Sequence, residues 1–68
     1  MTELFFLIEE APEGGWTARA LGESLFTEGD SLDELKENIK EAVACHFDDE
    51  NKPKLLRLHI VKDELLTL

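Results

Sequence analysis

The chain is poor in cysteine. Cys45 stands alone among 68 residues, which excludes an internal disulfide framework. No CxxC pair and no Cys/His cluster at ligand spacing suggests a structural zinc. Basic residues are scarce as well: 7 Lys and Arg stand against 16 Asp and Glu, a formal charge of −9. That balance argues against general nucleic-acid binding, because neutralising phosphates takes Lys and Arg. It is compatible with a basic protein partner, but the plainer account is the stronger: surplus acid often just keeps a small protein soluble. Long apolar runs are also missing. Leu4 to Ile8 is apolar throughout, but five residues cannot span a bilayer. The start has neither the basic n-region nor the cleavage site of a signal peptide. Lys62-Asp63-Glu64-Leu65 spells an ER-retention signal, yet Leu66-Thr67-Leu68 follows it, and that signal must be terminal. A free thiol without an export signal points to the cytoplasm. One domain, residues 1–68, fills the length. A chain this short buries only about 60% of its unfolded surface, so oligomerisation is the common remaining aid to stability.

What is present is organised around one helix. Ser31 is a good N-cap, and Glu34 three residues later completes a capping box. Asp33 and Glu34 place negative charge at the positive end of the helix dipole. Leu32, Leu35, Ile39, Ala42 and Val43 then form one helical stripe, running on towards Phe47. Asp33–Lys36 and Glu37–Lys40 can pair at i,i+3 on the outer face, each for only about 0.2–0.5 kcal/mol.

The rest reads as strand. Leu4 to Ile8, without helical period, suits a central strand buried on both faces. Pro12-Glu13-Gly14-Gly15 is hairpin chemistry. Trp16 to Ala20 alternates as a half-buried strand, and Ser24 to Glu28 is a short edge strand. Asp48 to Pro53 is a polar return loop. Lys54 to Val61 alternates, with Leu56, Leu58 and Ile60 on one face and Arg57 and His59 on the other. Leu65, Leu66 and Leu68 form an apolar tail with no place of its own. The fold class is α+β, in the order β-β-β-α-β. Short loops make the first three strands an antiparallel meander. The helical crossover sets the fourth strand parallel to the first, which gives the spatial order 3-2-1-4 with one helix on one face. Leu4, Phe6, Ile8, Leu56, Leu58 and Ile60 are expected to face Leu32, Leu35, Ile39 and Val43.

Three stretches carry a family resemblance. They are Glu9-Glu10, then Gly14-Gly15-Trp16-Thr17-Ala18-Arg19, then Thr27 to Ala42 with its Gly29-Asp30-Ser31 cap. Over residues 3 to 47 the chain resembles the HicB family of antitoxins. That resemblance implies a partial ribonuclease H-like fold and partnership with a small basic toxin that acts on messenger RNA. Two departures stand out. Leu21-Gly22-Glu23-Ser24 replaces the usual Pro-Gly-Cys stretch, and no helix-turn-helix or ribbon-helix-helix module follows the fourth strand. Operator binding by this chain alone is not expected.

No catalytic constellation is visible, so the chain is not expected to be an enzyme. A ribonuclease H-type site needs carboxylates converging on Mg2+, one of them within the first strand, where Phe5, Phe6 and Leu7 stand instead. Cys45 and His46, with His59, could be imagined as metal ligands. The plainer reading is that His46 complements the helix C-terminus and packs partly against the sheet. No cofactor or metal is expected. The candidate partner-binding residues are Phe5, Leu7, Arg19, Arg57 and His59 on the open sheet face, with Asp48, Asp49 and Glu50 as an acidic rim. Solvated charges on an open face account equally for the two arginines. Phe5 and Leu7 would otherwise face water, so a homo-oligomer, dimer or tetramer, is expected. Two functions remain: a module that occludes a toxin, or a solitary homo-oligomeric domain with no toxin partner and no catalytic activity.

Overall fold

The computed structural model describes residues 2–68. Its elements are β1 (Glu3–Glu10), β2 (Trp16–Ala20), β3 (Phe26–Gly29), α1 (Leu32–His46) and β4 (Leu55–Val61). They form a mixed α+β structure with the sheet order β3-β2-β1-β4. β1 pairs antiparallel with β2 and parallel with β4, and β2 pairs antiparallel with β3. The order and the single helix are those expected from the sequence. The strand bounds differ: β1 reaches out to Glu3 and Glu10, and β3 begins only at Phe26.

Ser31 caps α1 from an extended backbone, its Oγ accepting the Glu34 N–H at 3.1 Å. This is one half of the expected capping box; the return bond from the Glu34 carboxylate is not made. Of the two outer-face pairs, Lys40–Glu37 forms at 3.6 Å and Asp33–Lys36 does not.

The helix buries Leu35, Ile39 and Val43 against Leu4, Phe6, Ile8, Ala18 and Ala20. Leu32, Leu56 and Leu58 pack partly against this core. Each fully buried Ile, Leu or Phe side chain contributes roughly 1.5–3 kcal/mol over leaving it in water. The helix does not lie centrally on the sheet. Its backbone comes within 8 Å of β3 and β2 but not of β1 or β4. Side-chain size explains the lean. Ala18, Ala20 and Gly29 line the helix side of β2 and β3, whereas bulky Leu4, Phe6, Ile8 and Leu56 prop the helix away from β1 and β4.

Gly29 is where the approach is closest. A Cβ there would lie 2.7 Å from the Leu35 nitrogen and 2.9 Å from its Cα. Nearby, Asn38 Nδ2 donates to the Glu28 carbonyl at 2.7 Å, which ties the helix to β3. Gly15, at φ +81°, packs under the same corner: its Cβ would meet the Gly29 carbonyl oxygen at 2.9 Å.

Three sequence expectations fail here. β1 is central but buried on one face only: Phe5 is 44% exposed and Leu7 half-buried, because the single helix covers the other face. Ile60 remains 45% exposed, because the start of the helix is drawn to the far edge of the sheet and leaves that corner of β4 uncovered. His46 does not pack against the sheet; it is exposed. The buried stripe advances by four residues, through Leu35, Ile39 and Val43, and its next position is Phe47. Phe47, half-buried, fills that seat and holds the His46 ring edge-on at 4.8 Å.

Candidate protein-binding face

Strand periodicity divides the sheet into two faces. On the face away from α1, register sets Phe26, Arg19, Leu7 and His59 in one row across β3, β2, β1 and β4. In the neighbouring row, Phe5 of β1 stands beside Arg57 of β4. Five of the residues singled out from sequence, Phe5, Leu7, Arg19, Arg57 and His59, are therefore brought together on one surface. Among the described residues no element covers it.

Arg57 is the most constrained of them. Its Nε donates to Glu3 Oε1 at 2.7 Å, and its guanidinium carbon lies 5.6 Å from the centroid of the Phe5 ring. The hydrogen bond to Glu3, reinforced by that carboxylate's charge, raises the Arg57 pKa above its already high ordinary value. Arg57 is a fixed cation at any working pH. Its side chain is still 63% exposed and Phe5 is 44% exposed, so the pair offers a planar cation on an aromatic ring to whatever lands there. At the far row, Thr17 Oγ1 donates weakly to the Glu9 carbonyl at 3.4 Å.

Asp48, Asp49 and Glu50 are not on this face. They lie in the loop that carries the chain from the helix layer to β4. Asp48 Oδ1 closes that loop by accepting from Asn51 N and Asn51 Nδ2, at 2.9 and 2.8 Å. The loop ends where Lys54 and Leu55 donate to the Thr2 carbonyl, beside the start of β1. Glu9, Glu10 and Glu13 cluster at the opposite end, by the first hairpin. The acidic groups thus flank the sheet at two ends.

Cys45 and His46 are exposed neighbours in the last helical turn, while His59 lies on the other side of the sheet. The imagined Cys/His set is not assembled. Among the described residues no three His, Cys, Asp or Glu side chains converge as a metal site would require. Among them, too, no helix is long and apolar enough to cross a membrane.

Sequence reasoning missed Phe26. It is 63% exposed and lies next to Arg19 on the open face. The signal was its pairing register with β2, which a short strand with polar ends does not announce.

Two phenylalanines, Phe5 and Phe26, and two arginines, Arg19 and Arg57, share this face, and aromatic residues and Arg are types enriched in protein interfaces.

No family model matches the chain, and no solved structure matches it. It is similar to a UPF0150 protein of Archaeoglobus fulgidus, 56% identical over 52 residues that cover 76% of this chain and 77% of the relative. It is also similar to a UPF0150 protein of Thermotoga maritima, 44% identical over 61 residues, covering 90% and 86% respectively. At that identity and coverage the chain belongs to the UPF0150 family of small proteins.

Proposed function

We propose that this chain is an antitoxin-like protein-binding module, which inhibits a small basic RNA-cleaving toxin by covering its RNA surface. The observation that carries the reading is the open sheet face, with Arg57 of the edge strand β4 held over Phe5 of β1. The resemblance to HicB antitoxins supplies the class of partner. A charge of −9 would steer a basic partner towards the chain and raise the association rate more than the final affinity. Inhibition by coverage needs no catalytic group on this chain.

The experiment is a binding measurement with the protein encoded beside this gene, or with a small basic protein that copurifies. Arg57→Ala is expected to speed dissociation if a bound partner buries Arg57, since truncating a buried anchor acts mainly on the off-rate. Neutralising Asp48, Asp49 and Glu50 together is expected to slow association and flatten its salt dependence, with less effect on dissociation. If expression of this chain relieves no toxicity from any adjacent gene and only copies of itself copurify, the antitoxin reading falls. The second reading, a solitary homo-oligomeric domain without toxin partner or catalytic activity, then stands. It is favoured by the leucines of the tail, of which Leu65 is 99% and Leu66 85% exposed.

A further inference from the structure

The lean of α1 towards β3 opens a groove on its other side, between the helix and β4. Its floor is Ile39, Leu56 and Leu58. It continues past Lys40 and Leu56 towards Pro53, and the two stretches have cavity volumes of about 360 and 290 Å3. Its rim is unusual for so acidic a chain. Of the five lysines, Lys36, Lys40, Lys52 and Lys54 all line this groove. The carboxylates of Asp33 and Glu37 share the rim, and Glu37 pairs with Lys40 at 3.6 Å. That pair is well exposed, so it is weak and readily exchanged for another carboxylate. The groove therefore selects a segment that is apolar along one line and acidic along another.

The chain contains such a segment. Asp63-Glu64-Leu65-Leu66-Thr67-Leu68 follows β4 without secondary structure, every residue of it exposed. The molecule measures 53 × 18 × 18 Å, although eight-residue β1 spans only about 27 Å at strand rise. The tail thus extends beyond the end of β4. Six extended residues reach about 20 Å, and the β4 stretch from Pro53 to Leu58 is about 17 Å long. A two-fold axis just past Val61 would set a partner's groove in line with the tail.

We propose that the groove between α1 and β4 receives the Lys62–Leu68 tail of a second copy, so that two chains exchange arms in a two-fold dimer. The tail leucines cover Leu56, Leu58 and Ile39, and Asp63 and Glu64 meet the lysine rim. The proposal does not depend on what covers the open sheet face.

A charge swap in trans tests it. The full chain is made as K36E/K40E and, separately, as D63K/E64K, with far-UV circular dichroism to check folding. Sedimentation of the unaltered chain at micromolar concentration is expected to show a dimer that weakens with added salt. Each variant alone is expected to sediment as monomer, its dimer weakened about 100-fold or more. An equimolar mixture of the two is expected to recover the dimer, because each tail then finds a groove of opposite sign. A monomeric unaltered chain overturns the proposal. So does a tail variant that dimerises as well as the unaltered chain, and that variant touches no buried side chain. A mixture that stays monomeric also overturns it, since pairing of tail and groove charges between copies would then not be what holds the dimer.

Discussion

Replacing Gly29 by alanine adds one methyl group at the corner where β3 meets the helix. The new Cβ would sit 2.7 Å from the Leu35 nitrogen, 2.9 Å from its Cα and 3.2 Å from the Glu34 carbonyl carbon. All three are backbone atoms of the first helical turns, so no side-chain rotation relieves the overlap. β3 and α1 must separate. Overpacking of this kind costs about 1–3 kcal/mol. Separation also lengthens the 2.7 Å bond from Asn38 to the Glu28 carbonyl, worth about 0.5–1.5 kcal/mol net. The expected loss is about 2–4 kcal/mol, against a total of roughly 3–10 kcal/mol for a domain of this length. Urea unfolding followed by tryptophan fluorescence reads it directly: Trp16 is the sole tryptophan and lies across from Gly29 in the sheet. With a slope of about 1 kcal/mol per molar urea, the midpoint should fall by about 2–4 M. Asn38→Ala, which removes the bond without adding bulk, should account for about 1 kcal/mol of this. A midpoint within about 0.5 M of the unaltered chain would refute the close contact of β3 and helix.

Ile39→Ala should cost about 2–5 kcal/mol in the same assay, because Ile39 is 1% exposed at the centre of the core. Ile60→Ala, at the uncovered corner of β4, should cost less than half of that; equal losses would mean that the helix sits squarely over the sheet. Loss of Arg57 should change partner dissociation far more than unfolding, since its contacts with Glu3 and Phe5 are exposed.

The fold was legible because its signals are local. Ser31 announces the cap, the Leu35–Ile39–Val43 spacing announces a face, and short loops leave few ways to order the strands. Arg19, Arg57 and His59 could be placed on one surface because β2 and β4 alternate, and Phe5 and Leu7 joined them because one helix covers only one face of the continuous apolar run in β1. What could not be read was the lateral position of the helix. It depends on how small Ala18, Ala20 and Gly29 are relative to the side chains opposite them, and that comparison requires the register of four strands at once. Ile60, the lysine groove and Gly29 were hidden for this one reason. His46 was misplaced by a different one. A wheel at about 100° per residue sets His46 close to the buried stripe, but the helix ends there: Phe47, the C-cap on extended backbone, turns its larger apolar ring into the buried place.

The position of β4 has a consequence for the order in which the molecule comes apart. β4 is held by parallel pairing with β1 and by the half-buried Leu56 and Leu58, while its other edge is unpaired. Its partner lies more than fifty residues earlier in the chain, with Glu3 opposite Leu55. Pairing at that separation closes a large loop and comes late in folding. The hairpins and the helix, by contrast, join neighbours. The expectation is a compact β1-β2-β3-α1 unit from which β4 detaches at lower free energy than global unfolding. Amide hydrogen exchange should find the β4 protons released well before those of β1 that pair with β2. Equal protection of both strands would show instead that β4 opens only with the whole molecule.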